Sequence, residues 1–311
     1  MTWLCSLLVL LALAVPASAD SLNLATRLPT GGTVRCLAFT LDGKTLVAGS
    51  DSDISLWETA TWKLRTVLPH AATSCALSGD GEVLAASSPD ENNVSLFQVS
   101  SGQRRLTLKC GGTRINTVAL TPDGKLVVAG KDRGLQVWDA RTGSELPKLE
   151  GYKYGVSCLA FSRDGKLLAA GSDVGETTLW DMTSGKRLAS LPHAHPIHCV
   201  ALSANGKALA CAGGPSIKLW AVETRRERLE IAVRLPFSGY QIAINGDGTR
   251  LAAASQSSAV MLWDALNGKE IATARQRKEA CFSIAFSPNG ELLAAGLRKT
   301  IKVWKLANGN R

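Results

Sequence analysis

Three of the four histidines in this 311-residue chain fall in one short stretch, His193-Ala-His195-Pro-Ile-His198-Cys199. Imidazole and thiolate are ligands that Zn and Cu favour, and neighbouring imidazoles could share an ion. A metal held there near a protein axis would support hydrolysis of a lactonase-like kind. No second ligand cluster at a matching spacing accompanies the stretch. The plainer expectation puts His193 in a loop, His195 on the surface and Cys199 in the core, with His193, His195 and His198 as the metal candidates and no metal assigned. No cofactor is expected either. No Gly-rich loop precedes a helix, no nucleophile elbow occurs, and no spacing of Ser, His and Asp singles out a triad. The chain reads as a protein without catalysis of its own.

Charge points to a class of partner. The chain carries 35 Lys and Arg against 26 Asp and Glu, a net +9. Its densest basic groups, Arg225-Arg226-Glu227-Arg228 and Arg275-Gln276-Arg277-Lys278, are brief and lack interleaved aromatic platforms, which argues against nucleic acid. A scattered positive surface suits a protein or an acidic envelope polymer. With 45% hydrophobic and 20% charged residues, the chain should pack a core. Among its eight cysteines, Cys36, Cys158 and Cys199 stand at one repeat position, where units are poorly placed to bridge. They read as buried thiols chosen for size, with Cys110, in a loop, as the reactive exception.

The elements that must position these residues are repeats. Asp42-Gly43, Asp80-Gly81, Asp123-Gly124, Asp164-Gly165, Asn205-Gly206, Asp247-Gly248 and Asn289-Gly290 each follow an apolar stretch and read as hairpin turns whose central residues both take positive φ. An aromatic residue closes a strand 14 to 16 residues later, at Trp57, Phe97, Trp138, Trp180, Trp220, Trp263 and Trp304, so the period is 40 to 43 residues. Four short strands per unit at that period mark a propeller blade. In the fourth unit the strands are expected over 156–162, 167–171, 177–181 and 186–191. Small residues such as Cys36, Ala38, Cys158, Ala160, Cys199 and Ala201 suit strands crowded round an axis.

Over residues 22 to 306 the chain resembles the WD40 repeat family, whose unit carries a Phe-Ser-x-Asp-Gly turn, a Gly-Ser-Asp bend and a closing Trp-Asp. Trp138-Asp139, Trp180-Asp181 and Trp263-Asp264 keep that dipeptide; Trp57-Glu58, Phe97-Gln98, Trp220-Ala221 and Trp304-Lys305 depart from it. The resemblance implies an all-β, seven-bladed propeller of four-stranded antiparallel blades. The family's buried Ser is replaced at Ala48, Ala86, Ala129, Ala170, Cys211, Ala253 and Ala295, and its His site is filled by His193 and His70, with Tyr152 in the fourth blade. Each Trp should then act through apolar burial.

Leu24-Ala-Thr-Arg-Leu-Pro-Thr30 reads like the outer strand Leu64-Arg-Thr-Val-Leu-Pro-His70 and is expected to supply the last blade's missing fourth strand, because Asn308-Gly309 stands where that blade's final turn belongs. Residues 1–19, apolar from Leu7 to Val15 and ending in Ala17-Ser18-Ala19, read as a cleaved secretory signal that leaves one propeller domain over 20–311. The run is too short for an ordinary membrane span. The expectation is a secreted or periplasmic, monomeric scaffold; the alternative keeps it inside the cell with residues 1–19 no signal. The resemblance to the WD40 family implies binding on the face formed by loops entering each inner strand and loops between second and third strands. There stand Arg35, Arg114, Lys131, Arg133, Tyr152, Tyr154, His193, His195, Tyr240, Arg298 and Lys299.

Overall fold

Each Asp-Gly or Asn-Gly pair lies in the turn that joins the innermost strand of a sheet to the second. In a computed structural model the described residues are 22–306 apart from 89–90, 148, 150–151, 153, 234–239, 256–258 and 276–278. The expected signal segment and the Asn308-Gly309 turn lie outside them. The described residues form strands and no helix, gathered into seven antiparallel sheets. The fourth blade comprises Val156–Phe161, Leu167–Ser172, Glu176–Asp181 and Lys186–Pro192, bonded in that order and within a residue of expectation. Each inner strand packs on the next, and Ser283–Phe286 packs on Val34–Phe39, so the ring is closed.

The turns are built differently from the simple hairpin the pairs suggest. The seven turn glycines have φ between 68° and 79°, but none of the preceding Asp or Asn residues has a positive φ. The acid acts through its side chain. Thr40 Oγ1 donates to Asp42 Oδ1 at 2.6 Å, the Lys44 amide donates to the same oxygen at 2.9 Å, and the Thr45 amide donates to Thr40 Oγ1 at 3.0 Å. The unit recurs around Ser78-Asp80, Thr121-Asp123 and Ser162-Asp164, and with Asn in place of Asp at Ser203-Asn205 and Ser287-Asn289. The hydroxyl and backbone donors hold Asp42, Asp80 and Asp164 below the ordinary carboxylate pKa. A depressed folded pKa adds stability above the unfolded value, and that stability is lost as pH falls through the folded pKa. The triple replacement Asp42→Asn, Asp80→Asn and Asp164→Asn should therefore lower the neutral melting temperature slightly and flatten its decline below about pH 4, so that parent and variant converge in acid. Melting curves from pH 7 to 2.5 check this; an unchanged acid decline would remove these turns as its source.

The axial channel takes its character from the inner strands. Four residues before the turn glycines stand Phe39, Leu77, Leu120, Phe161, Leu202, Ile244 and Phe286, and all line its lower half. The upper half is lined by Arg35, Ser74, Asn116, Ser157, His198 and Gln241 among others. Several of these stitch blades together: Asn116 Nδ2 donates to the Val156 carbonyl, Ser157 Oγ to that of Ile197, and Ser283 Oγ to that of Val34. Bulges in the first-to-second strand pairing, as between Val156 and Cys158, break the ladder near these carbonyls.

Closure is by the N-terminal strand Asn23–Pro29, which pairs antiparallel with Thr300–Lys305. Leu28 faces the core at 3% exposure, whereas Leu24, four residues before it, is 45% exposed. A register shift between Leu24 and Thr26 inserts one residue and reverses the alternation. The third blade differs. Among the described residues its sheet has three strands, Ile115–Leu120, Leu126–Lys131 and Leu135–Asp139, followed by a bridge between Trp138 and Glu145 and by the Leu146 amide bonded to the Val137 carbonyl. Pro147 follows at once, and proline has no amide hydrogen for a ladder.

One cysteine expectation is overturned. Cys36 and Cys75 form a disulfide between the first and second blades, with Cα atoms 5.9 Å apart. Cys36 pairs with Gly49, whereas Cys75 pairs with Ala86, which corresponds to Ala48 and so sets Cys75 level with Leu37. Neighbouring positions on a strand face opposite ways, so Cys36 looks toward the second blade and Cys75 looks back. A Cβ on Gly49 would lie 2.5 Å from Cys36 Sγ, so the bridge uses the space that the glycine leaves. Cys158 and Cys199, level with Cys36, remain free because Val200 and Ile242 stand where Cys75 does.

Candidate functional site

A cavity of about 530 Å³ lies between the third blade and the fourth. The loop of residues 110–113 forms one wall, the end of Leu126–Lys131 and the start of Leu135–Asp139 form the floor, and Tyr152 forms the far side. Three of the expected binding residues meet here: Lys131, Arg133 and Tyr152. Lys131 Nζ donates to Gln136 Oε1 at 2.8 Å, which holds its ammonium group at the cavity, while Arg133 is exposed. Glu145 is the acidic residue of the lining, so the cleft carries a net positive charge.

Tyr152 is half-buried and edge-on to Trp180, with ring centres 5.4 Å apart. Burial, and then the nearby Cys158, raises its phenol pKa well above the ordinary value. It stays neutral and presents a polar, apolar-bodied surface. Tyr154 packs edge-on to Tyr152 at 6.2 Å, is 41% exposed, and its carbonyl accepts the Gly134 amide. The expected reactive thiol, Cys110, is also in the lining, but it is 1% exposed and burial pushes its pKa to about 11. It is a poor nucleophile there.

The other expected residues are dispersed. Arg35 lies at the upper channel mouth, 3.9 Å from Asp51 and over the Phe282 ring at 5.2 Å. Arg114 is exposed beside the loop of the cleft, and Arg298 and Lys299 are exposed in the seventh blade. Tyr240 opens the inner strand of the sixth blade opposite Ser255; its side chain lies outside the described residues. The three histidines do not converge. His193 and His195 rings stand 6.5 Å apart, His193 Nδ1 accepts the His195 amide, and His198 faces the channel instead. Among the described residues no three His, Cys, Asp or Glu are grouped to hold a metal. His198 is solvent-accessible, yet the surrounding strands still lower its pKa by desolvation.

This blade architecture has relatives. A family described as the IFT122 first beta-propeller matches residues 114–311, more than half of the chain, and the WD domain, G-beta repeat, matches residues 24–58. The chain belongs to the WD40-repeat propellers. An uncharacterized WD repeat-containing protein of Synechocystis sp. is 33% identical over 125 residues, covering 38% of this chain and 35% of that relative. The match thus spans about a third of the relative's length.

Two of the residues read at the family's His site sit as that reading implies: His70 packs on Phe97 at 5.1 Å, and Tyr152 on Trp180. Trp57 Nε1 is buried without a hydrogen-bond partner among the described residues. Reasoning from sequence missed Gln136 and Glu145 at the cleft. The signal that could have found them was Pro147, which stands where every other outer strand needs a ladder residue.

Proposed function

We propose that this WD40 propeller is an exported, non-catalytic scaffold that binds an acidic protein or envelope polymer at the cleft between its third and fourth blades. The observation that carries the reading is the convergence of Lys131, Arg133 and Tyr152 in one cavity between two blades. A rigid ring bears the loops, so a partner meets a pre-formed surface. Arg114 extends the positive rim; Arg35, His193, His195, Tyr240, Arg298 and Lys299 belong to the wider face. Export is supported by the signal-like residues 1–19 and by the Cys36–Cys75 bridge, since disulfides persist in oxidising compartments.

Crosslinking capture from the native envelope tests the site. Arg133→Glu should reduce capture about tenfold or more at low salt and flatten its salt dependence, because the reversal replaces attraction by repulsion. Arg298→Glu with Lys299→Glu, in the seventh blade, should cost less. Both variants should melt with the parent, as these are exposed charges. Equal capture by parent and Arg133→Glu would move the site elsewhere. Intact mass of the native protein tests export separately, with a chain beginning near Asp20 expected.

A further inference from the structure

The lower half of the channel is a cavity of about 360 Å³, independent of the cleft on the upper face. Its wall is the ring of seven apolar side chains four residues before the turns, and its mouth is framed by Leu41, Pro122, Ala204 and Pro288. A cavity of this size falls in the range of small-molecule sites, about 300–1,000 Å³, and its ring of apolar side chains offers contacts to a hydrocarbon chain between the polar backbone atoms of the strands. One cation interrupts it. Arg163, on the fourth blade's turn, is exposed and reaches across the mouth, where Nη2 donates to the Leu41 carbonyl of the first blade at 3.4 Å. No acidic side chain lines this cavity, and among the described residues no ion pair engages Arg163. A shallower hollow of about 430 Å³ outside it shares Arg163 and includes Asp247, whose carboxylate accepts from Thr249.

We propose that this cavity binds one free fatty acid, its chain along the axis inside the apolar ring and its carboxylate on Arg163. A single axial cavity admits one chain, whereas a phospholipid carries two. One guanidinium at the mouth requires a negative charge at the end of that chain, which an amide-linked acyl group lacks. The carboxylate would exchange one long bond to a carbonyl for a charge-assisted, two-pronged pair.

Calorimetric titration of the purified full chain with dodecanoate, decanoate and methyl dodecanoate, each below its self-association concentration, provides the test. Dodecanoate should bind saturably at one site. Decanoate should bind about sixteenfold more weakly, from roughly fourfold per methylene. The uncharged ester should lose about tenfold or more. Arg163→Ala, at an exposed position, should fold as the parent does, bind dodecanoate no better than the ester, and leave ester affinity unchanged. Non-saturating uptake, affinity independent of chain length, or full dodecanoate affinity in Arg163→Ala would each overturn the proposal.

Discussion

Removing residues 20–29 should lower the melting temperature by more than about 10 °C and expose the protein to aggregation, although every other strand keeps its sequence. The deletion strips the outer strand from the seventh blade and frees the edge of Thr300–Lys305. It also removes Leu28, buried against Ile301, and its carbonyl, which accepts Thr300 Oγ1 at 3.1 Å. Burying one such side chain is worth about 1.5–3 kcal/mol, and the ladder bonds add to it. Against a typical margin of roughly 5–15 kcal/mol the loss is large. Leu28→Ala isolates the packing part, with about 2–5 kcal/mol expected from a cavity in the closing seam. Leu24→Ala should be nearly silent, because the bulge turns Leu24 outward. Thermal melts and light scattering of the three variants decide it. A monomeric deletion protein with the parent's melting temperature would show that the N-terminal strand does not close the ring.

Reducing or removing the Cys36–Cys75 bridge should cost about 3–4 kcal/mol. The bridge joins residues 39 apart, and closing a loop of that size in the unfolded chain accounts for that amount in the chain-entropy model. Cys75→Ser should lower the midpoint of denaturant unfolding and make it insensitive to reductant, while the parent's midpoint should fall toward the variant's when reductant is added. Cys158→Ser and Cys199→Ser should keep the parent's reductant dependence, because those thiols are free and the bridge stays in place. A parent midpoint unmoved by reductant would mean that the first and second blades are not crosslinked in the protein.

The sequence by itself determined the blade count, the strand order within a blade and the closure of the ring. Those features depend on local signals repeated in phase: a turn glycine that tolerates positive φ, a Ser or Thr that caps the turn with Asp or Asn, and an aromatic residue a fixed distance on. What it left open depended on side-chain direction. Cys75 lies one position off Cys36 in blade register, and a one-residue offset turns a strand side chain to the opposite face, so only the paired strands revealed the bridge. The bulge near Leu24 has the same origin. The cleft and the lower cavity are assembled from residues far apart in the chain. Lys131, Tyr152 and Cys110 come from three successive blades or the loops between them, and Arg163 reaches the Leu41 carbonyl from the far side of the axis. Repeat periodicity states which strand a residue is on; which neighbours it meets is decided only when the ring closes, because closure brings blades three apart in sequence to opposite rims of one channel.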